Sequence, residues 1–401
     1  MNTELLHNQV WTRFIRMPYG HLLDYADQSG HTVIPTAADL QASLPNPLAW
    51  GVSIENGAFF TGLYLYGLSE KYECAPEEQL KKEILILANG LFLLCDVCKT
   101  DGCIARGVAE DGVSHPPFSS EDQLGPWLLG LWRLLHSPAS DQALRNEIRK
   151  RLIRTLVGIR AVNWAIPTEW EGVMRGSYAH KDWRGVAKLM FSAAVAREIG
   201  VIGNTEFEAI ATQRPDDSLY NRVEIIAQGF TPDMIHNPFL IQFWIHICAQ
   251  LCVCSLLTLD PPRAHYYRKG LATNGAAVVS FLKDYEKYID VAGNTLCYDW
   301  RPLLADVRPW KNAKEAVAEA DRQLHIFFQQ ISPGMHDEKQ LLGHALSGAW
   351  IAVVSGDEKA SRYAYQCLGD ASRRVNWEGC GYCFAFMAEA AIYCYQNLVT
   401  A

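Results

Sequence analysis

The side chains best suited to chemistry include a pair of acids in the segment FSSEDQ, residues 118–123. The segment has the Ser/Gln spacing of a capping box, so it is predicted to begin a helix. A carboxylate at such a position that faces a cavity can donate or accept a proton in catalysis. Asp122, which follows His115 and two prolines, is therefore our first catalytic candidate. Compensation of the helix dipole is the alternative role for Glu121 and Asp122.

A second acidic segment reads WGVSIENG at residues 50–57. Ser53 has the position of a helix cap, and Glu55 and Asn56 would lie in the first turn. Two carboxylates that face each other across a cavity are the minimum for protonating one atom and activating water at another. Glu55 and Asp122 are the predicted catalytic pair.

Polar and aromatic residues that precede apolar helices are the predicted substrate contacts, because the starts of parallel helices meet at one end of a bundle. Trp faces stack on sugar rings, and Arg holds a carboxylate through two hydrogen bonds. The predicted substrate-binding residues are Trp50, Asn56, His115, Trp170, Arg175, His180, Asp182, His236, His336 and Trp377. Core packing is the alternative for the tryptophans, and helix capping is the alternative for Asp182.

Histidines offer a different chemistry. A pair such as His236 and His344 would suit a sugar epimerase, although His344 lies in the apolar run LLGHALSGAW and is more typical of a core histidine. A third interpretation is a non-catalytic protein that binds a glycan or a partner protein.

The twelve cysteines are scattered, and many lie in apolar helical runs. This pattern is typical of buried free thiols in a reducing compartment. Two CxxC pairs, Cys95/Cys98 and Cys380/Cys383, have zinc-ligand spacing, but both are predicted to lie within helices. We therefore expect apolar packing, with neither a metal nor an organic cofactor.

Several functional classes are disfavoured. No phosphate-binding loop or dinucleotide fingerprint occurs at a usable position. The formal charge of −8 and the absence of a basic run disfavour nucleic acid as a partner. The stretch 239–259 is nearly long enough to span a membrane, but its polar residues favour a protein core. The first residues lack the apolar region of a signal peptide, so a soluble, cytoplasmic protein is expected.

The elements that position these residues are helices. Six predicted helices are apolar on most sides: 53–68, 120–136, 182–199, 236–257, 338–354 and 380–396. Amphipathic helices alternate with them, at about 8–27, 77–99, 141–160, 204–228, 262–285 or 313–330, and 358–373. Alternation of buried and half-exposed helices predicts an all-α (α/α)6 toroid, formed by one domain over residues 1–401. A solenoid is the alternative, but it would need a constant repeat length and polar ends.

Three stretches carry a family resemblance: IENGAFFTGLYLYGL (54–68), SSEDQLGPWLLGLW (119–132) and KDWRGVAKLMFSAAVAREIG (181–200). Together they resemble inner helices of the six-hairpin glycosidases, most closely the unsaturated glucuronyl and rhamnogalacturonyl hydrolases. The resemblance covers most of the chain as architecture but only these stretches as sequence.

The resemblance implies a hydrolase that acts on a small oligosaccharide containing an unsaturated uronic acid. Asp122 would protonate the enol-ether double bond and help to deliver water, and Glu55 would assist where those enzymes usually have Asp. Arg175 and Arg106 are the candidates for binding the substrate carboxylate. The same architecture also supports inverting glycosidases, epimerases and polysaccharide lyases.

Overall fold

The computed structural model describes residues 2–179, 182–230, 243–290 and 296–400, and this part of the chain is all-α with two small hairpins. The α-helices in chain order are α1 (Thr3–Gln9), α2 (Ala37–Gln41), α3 (Gly57–Cys74), α4 (Glu78–Asp96), α5 (Glu121–Leu135), α6 (Gln142–Ala161), α7 (Trp183–Glu198), α8 (Asn204–Thr212), α9 (Arg222–Gln228), α10 (Phe243–Leu259), α11 (Ala264–Leu282), α12 (Glu286–Ile289), α13 (Ala313–Ile326), α14 (Pro333–Asp337), α15 (Gly343–Val353), α16 (Glu358–Arg374) and α17 (Ala385–Thr400). The predicted all-α class is confirmed.

The remaining regular elements are short. Strands β1 (Ile15–Arg16) and β2 (His21–Leu22) pair antiparallel, as do β3 (Ala165–Pro167) and β4 (Met174–Ser177). Two 3₁₀ helices cover Pro261–Arg263 and Arg301–Asp306. Three π-helical turns cover Val10–Phe14, Phe327–Ile331 and Glu338–Leu342.

Six helices, α3, α5, α7, α10, α15 and α17, are buried over most of their length. We call them the six apolar helices. Each packs against the next one along the chain, and α17 packs against α3. The amphipathic helices α4, α6, α11 and α16 pack outside them and expose one face. The buried character that the sequence predicted for these six segments is therefore confirmed for their described residues.

The close contact between α3 and α5 depends on two glycines. A Cβ atom on Gly62 would overlap the backbone of Pro126, and one on Gly130 would overlap the backbone of Gly62. Glycine is the residue that allows two backbones to approach this closely. The contact fixes the starts of α3 and α5, and hence Glu55 and Asp122, relative to each other.

Two predicted helices are wrong in part. The segment 8–27 leaves the helical conformation after Phe14 and forms the β1–β2 hairpin, whose turn contains Pro18. The segment 204–228 is split between α8 and α9, with Pro215 between them. Proline lacks a backbone N–H and its ring clashes with the preceding helical turn, so neither helix continues through it.

Among the described helices, no single one is long and apolar enough to cross a membrane. Within the described part of the chain, only Phe243–Leu259 and Pro261–Leu282 taken together have the length and apolar composition of a membrane span, and the two are bent by 113° relative to each other.

Candidate functional site

A cavity of about 820 Å³ lies at the starts of the apolar helices. We call it the helix-start cavity. Residues at or just before the starts of α3, α5, α7, α10 and α15 contribute to its wall. Its lining includes Trp50, Glu55, Asn56, Arg106, Ser120, Glu121, Asp122, Arg175, Arg184, Trp244, Asp321, Arg322, His325, Phe328, His336 and Lys339. Six predicted site residues meet here: Trp50, Glu55, Asn56, Asp122, Arg175 and His336.

Helix α3 begins at Gly57, four residues later than predicted, so Glu55 and Asn56 precede the helix and the prediction that they lie in its first turn is wrong. Glu55 is buried in the loop before α3. Its Oε2 accepts a hydrogen bond of 2.9 Å from the backbone N–H of Gly51. Its Oε1 lies 3.7 Å from the Nζ of Lys339. The carboxylate is thus held at the cavity wall by one backbone donor and one buried cation. Ser53 does not cap the helix, because its hydroxyl donates to the carbonyl of Val33.

Asp122 lies in the first turn of α5 and is 30% exposed. Its Oδ1 accepts a hydrogen bond of 3.0 Å from the Nζ of Lys188 and lies 3.9 Å from Nη1 of Arg184. Burial acts to raise the pKa of Asp122, but the charges of Lys188 and Arg184 outweigh it and hold the pKa well below its usual range. Asp122 is therefore ionised at neutral pH. In this state it can activate water, but it has no proton to donate.

The neighbouring Glu121 has the opposite electrostatic character. Burial raises its pKa, and Asp122 adds to the rise, against the lowering effect of Lys188 and Arg184. Its Oε1 accepts a hydrogen bond of 2.9 Å from Arg184, whereas its buried Oε2 has no hydrogen-bond partner within the described residues. Two adjacent carboxyl groups whose pKa values are pushed apart are the arrangement expected of an acid and a base.

Arg106 links the loops that carry these acids. Its guanidinium donates to the backbone carbonyls of Phe118 and Glu55 and to the hydroxyl of Ser120, each at 3.1 Å. Burial lowers its pKa to about 10, and it remains charged. Because all three nitrogens are engaged within the protein, Arg106 positions the acids; it is poorly placed to bind a substrate carboxylate.

Arg175 is better suited to hold an anion. It lies on strand β4, half-buried at the cavity wall, and its guanidinium stands 5.8 Å from the centre of the Trp50 ring. Within the part of the chain that the structure describes, its buried Nε has no hydrogen-bond partner. Trp50 and Arg175 thus form an aromatic surface beside an available cation.

Three residues of the cavity wall, Trp244, Phe328 and Lys339, were not predicted from the sequence. Lys339, which is 3% exposed, lies among aromatic rings: its Nζ is 4.8 Å from the ring centre of Trp244 and 5.1 Å from that of Phe328. Phe328 and Lys339 each lie in a π-helical turn. Such turns often occur at functional sites, because the extra residue redirects side chains. No hydrophobic pattern signals a π turn.

Two histidines also line the cavity. Burial lowers the pKa of His336, so its ring is neutral at neutral pH, and its buried Nδ1 has no partner among the described residues. His325 lies near the end of α13. His344 does not line the cavity: its ring stacks on Phe243 at 4.3 Å and its Nδ1 accepts from the Phe243 N–H. It is the core histidine that its apolar surroundings indicated.

The other predicted contacts lie elsewhere. His115 is half-exposed in its own loop, and its Nδ1 contacts the carbonyl of Val113. Trp170 packs edge-on against Phe118, behind the cavity wall. Asp182 caps α7 by accepting a hydrogen bond from the Gly185 N–H, which is the helix-capping role given above as its alternative to substrate binding.

Trp377 is a core residue, 3% exposed, whose carbonyl accepts a hydrogen bond from Arg13. His180 and His236 lie outside the described residues.

Beneath the cavity lies an acid that the sequence did not single out. Asp24 is buried and accepts hydrogen bonds from the backbone and side-chain amides of Asn56, at 2.7 and 2.6 Å, and from the hydroxyl of Tyr382. Burial raises its pKa to about 7, and the charge of Glu55 adds to the rise. Asn56 therefore supports the floor of the cavity through Asp24.

The chain matches no family model, no curated protein and no solved structure. The function is accordingly inferred from the geometry and charge of the site.

Proposed function

We propose that the chain is a carbohydrate-active hydrolase with an (α/α)6-toroid fold, and that it acts on a small oligosaccharide bearing an unsaturated uronic acid. Helix contacts support the ring: each of the six apolar helices contacts the next one along the chain, and α17 contacts α3. One apolar core that runs from Leu6 to Cys394 supports a single domain. No organic or metal cofactor takes part in the proposed reaction.

The observation that carries the proposal is the combination of groups in the helix-start cavity. Asp122 and Glu55 supply carboxylates, and Trp50 supplies a surface on which a sugar ring stacks. Arg175, beside Trp50, supplies donors that match the two oxygens of a uronate carboxylate. A volume of about 820 Å³ suits a ligand of one to a few sugar rings.

The charges within the cavity favour a division of labour different from that implied by the resemblance. Asp122, ionised beside Lys188, acts as the base that removes a proton from water. Glu121, whose pKa is raised by burial, is the proton donor to the double bond. Glu55, whose Oε1 lies 3.7 Å from the Nζ of Lys339, stabilises the positive charge that develops on the sugar.

The direct test is an assay with unsaturated glucuronyl and rhamnogalacturonyl disaccharides. Turnover is measured as the loss of the ultraviolet absorbance of the conjugated double bond. We expect turnover by the wild-type chain. Asp122→Asn should reduce kcat/KM by roughly 10²–10⁴, the usual contribution of a proton-transferring group.

The matched control is Asp182→Asn. It makes the same chemical change at the start of the next apolar helix, where the carboxylate caps the helix and does not line the helix-start cavity. Its activity should stay within a few fold of wild type. If Asp122→Asn is equally active, the catalytic role of Asp122 is wrong; if the wild-type chain neither turns over nor binds these sugars, the hydrolase proposal fails.

A histidine-based sugar epimerase is the second candidate, because His325 and His336 line the same cavity. An epimerase exchanges a carbon-bound hydrogen of a saturated sugar with solvent, whereas the proposed hydrolase does not act on saturated sugars. Deuterium incorporation from D₂O that disappears in His336→Gln and persists in Asp122→Asn would favour this candidate.

A further inference from the structure

A group of metal-ligating side chains lies behind the segment that leads into α5. Cys98, His115 and Glu169 each place one potential ligand atom within 4.8 Å of the other two. Cys98 is buried, and His115 and Glu169 are half-buried, so an ion can reach the group from solvent. None of the three lines the helix-start cavity.

Cys103, which follows Cys98 in the chain, is the candidate for a fourth ligand. Cys98 lies just beyond the end of α4, so the expectation that both members of the first CxxC pair are helical is wrong for it. A four-residue turn separates it from Cys103; Gly102 has a φ of +90°, and the Cys103 N–H donates to the carbonyl of Thr100 at 3.1 Å. The Cys103 thiol is a near neighbour of the Cys98 thiol. Two cysteines on a tight turn with this spacing are typical of zinc-binding knuckles.

Neighbouring backbone groups orient the other two ligands. Nδ1 of His115 lies 2.9 Å from the carbonyl of Val113, which favours the tautomer with the proton on Nδ1 and leaves Nε2 for an ion. Oε1 of Glu169 accepts hydrogen bonds of 3.1 Å from the N–H groups of Lys99 and Thr100. Backbone contacts of this kind usually orient the ligands of a metal site.

We propose that Cys98, Cys103, His115 and Glu169 bind one structural Zn²⁺. Two thiols, one imidazole and one carboxylate form a donor set that suits zinc in tetrahedral geometry, whereas Ca²⁺ and Mg²⁺ prefer oxygen ligands alone. Apolar packing of the cysteines alone does not account for the convergence of a histidine and a glutamate on Cys98.

Such an ion would connect three loops that support the catalytic wall. The Glu169 N–H donates to the carbonyl of Pro117, and the next carbonyl, that of Phe118, accepts from Arg106. Zinc would thus fix the segment that ends at Asp122. The site is distinct from the proposed reaction and does not depend on it.

The test uses the full chain, freed of metal by dialysis against a chelator and then titrated with Zn²⁺ in competition with a chromophoric chelator. We expect one tightly bound ion per chain, an increase in Tm when zinc is added, and a thiolate-to-metal absorption band when Co²⁺ replaces zinc. Cys98→Ser, which leaves Cys103 as the remaining thiolate, should reduce the band to about half and weaken zinc binding more than about tenfold. Cys95→Ser, which changes the neighbouring helical cysteine, should keep both.

His115→Gln provides a second variant in case Cys98→Ser fails to fold, since His115 is half-exposed in a loop. We expect it to weaken zinc binding more than about tenfold, with His31→Gln as the control at an exposed histidine. Absence of a stoichiometric ion in the wild-type chain would overturn the proposal, as would equal zinc affinity in His115→Gln and His31→Gln.

Discussion

Two cavities lie at opposite ends of the apolar helices, and they differ in how completely their charged and polar groups are paired. The helix-start cavity has a volume of about 820 Å³. The second, of about 640 Å³, is lined by the last turns of α3, α5, α7, α10 and α17, and we call it the helix-end cavity. Both contain acids, arginines, a histidine and a tryptophan. Composition alone would therefore not separate them.

In the helix-end cavity the charged groups bind one another. Arg133 pairs with Glu70 and Glu73. Glu198 accepts from the ring of His136 at 2.8 Å and from the indole of Trp132 at 2.9 Å. These pairs join neighbouring helices and satisfy one another's hydrogen bonds.

In the helix-start cavity several polar groups have no partner among the described residues: Nε of Arg175, Oε2 of Glu121, Nδ1 of His336 and Nε1 of Trp244. A buried polar atom without a partner costs about 1–3 kcal/mol. A ligand that supplies the missing partners recovers this free energy. The difference supports the proposal that the helix-start cavity binds a ligand and that the charged groups of the helix-end cavity stabilise the fold.

The largest expected effect concerns Glu121. Glu121→Gln should lower kcat/KM by roughly 10²–10⁴, because the proton donor is lost. Wild-type activity should fall as pH rises through the raised pKa of Glu121, and this fall should be absent from the residual activity of the variant. Glu73→Gln, the same change in the helix-end cavity, should leave kcat/KM and the pH profile unaltered. Equal activity of the two variants would remove the distinction between the cavities.

The next effect concerns the stability of the ion pair between the buried Lys188 and Asp122. Lys188 is 1% exposed, so Asp122→Asn leaves an ammonium group without its counter-ion. We expect a loss of about 3 kcal/mol in the free energy of unfolding, measured in urea. The double variant Asp122→Asn, Lys188→Met should recover most of it. If the double variant loses as much free energy of unfolding as Asp122→Asn and Lys188→Met lose together, the two residues are not coupled.

A smaller effect is a pH dependence of opposite sign at the two ends. Burial raises the pKa of Asp24 from 3.8 to about 7, so between these pH values the folded chain holds a proton that the unfolded chain releases. The contribution of Asp24 to the free energy of unfolding therefore falls as pH rises. Asp24→Asn should gain about 4 kcal/mol relative to wild type as the pH rises from about 4 to about 7 in unfolding experiments.

Glu198 in the helix-end cavity provides the comparison. Burial acts to raise its pKa, but the hydrogen bonds from His136 and Trp132 outweigh it, and the pKa is lowered. Its stabilising contribution is present at neutral pH and is lost as pH falls through the carboxyl range. Glu198→Gln should reduce stability at neutral pH and have less effect in acid. If the stability difference from wild type changes with pH in the same direction in Asp24→Asn and Glu198→Gln, the proposed difference between the two ends is wrong.

The smallest expected effect is on substrate affinity. Arg175→Ala should raise KM about tenfold with little change in kcat, because a charge-assisted hydrogen bond of about 1.5–3 kcal/mol is lost. Arg322→Ala is the control in the same cavity, since the Arg322 guanidinium is already bound to Glu319 and Asp306. A methyl ester of the uronic acid should bind wild type and Arg175→Ala equally. If both arginine variants behave alike, the carboxylate is bound elsewhere.

The sequence predicted the helices more completely than the site. Apolar periodicity located the six apolar helices, and helix starts brought Glu55, Asp122 and Arg175 to one cavity. Periodicity does not show which acid has a buried lysine beside it. Lys188 follows Arg184 by one turn in an otherwise apolar helix, and a buried lysine nearly always has an acidic partner. That spacing was the available signal for the partner of Asp122.

Three other residues of the cavity wall were missed for a different reason. Trp244 meets Phe328 and Lys339 from a distant segment of the chain, and the positions of Phe328 and Lys339 depend on π turns. Conversely, Trp377 and Asp182 have the residue types of a binding site but serve packing and capping.

The most direct test of the ligand role of the helix-start cavity is a crystal structure of Asp122→Asn soaked with an unsaturated glucuronyl disaccharide. We expect the unsaturated ring against Trp50, with its carboxylate within hydrogen-bonding distance of the Arg175 guanidinium. A sugar bound in the helix-end cavity, or an empty helix-start cavity at a saturating concentration, would contradict the proposed role.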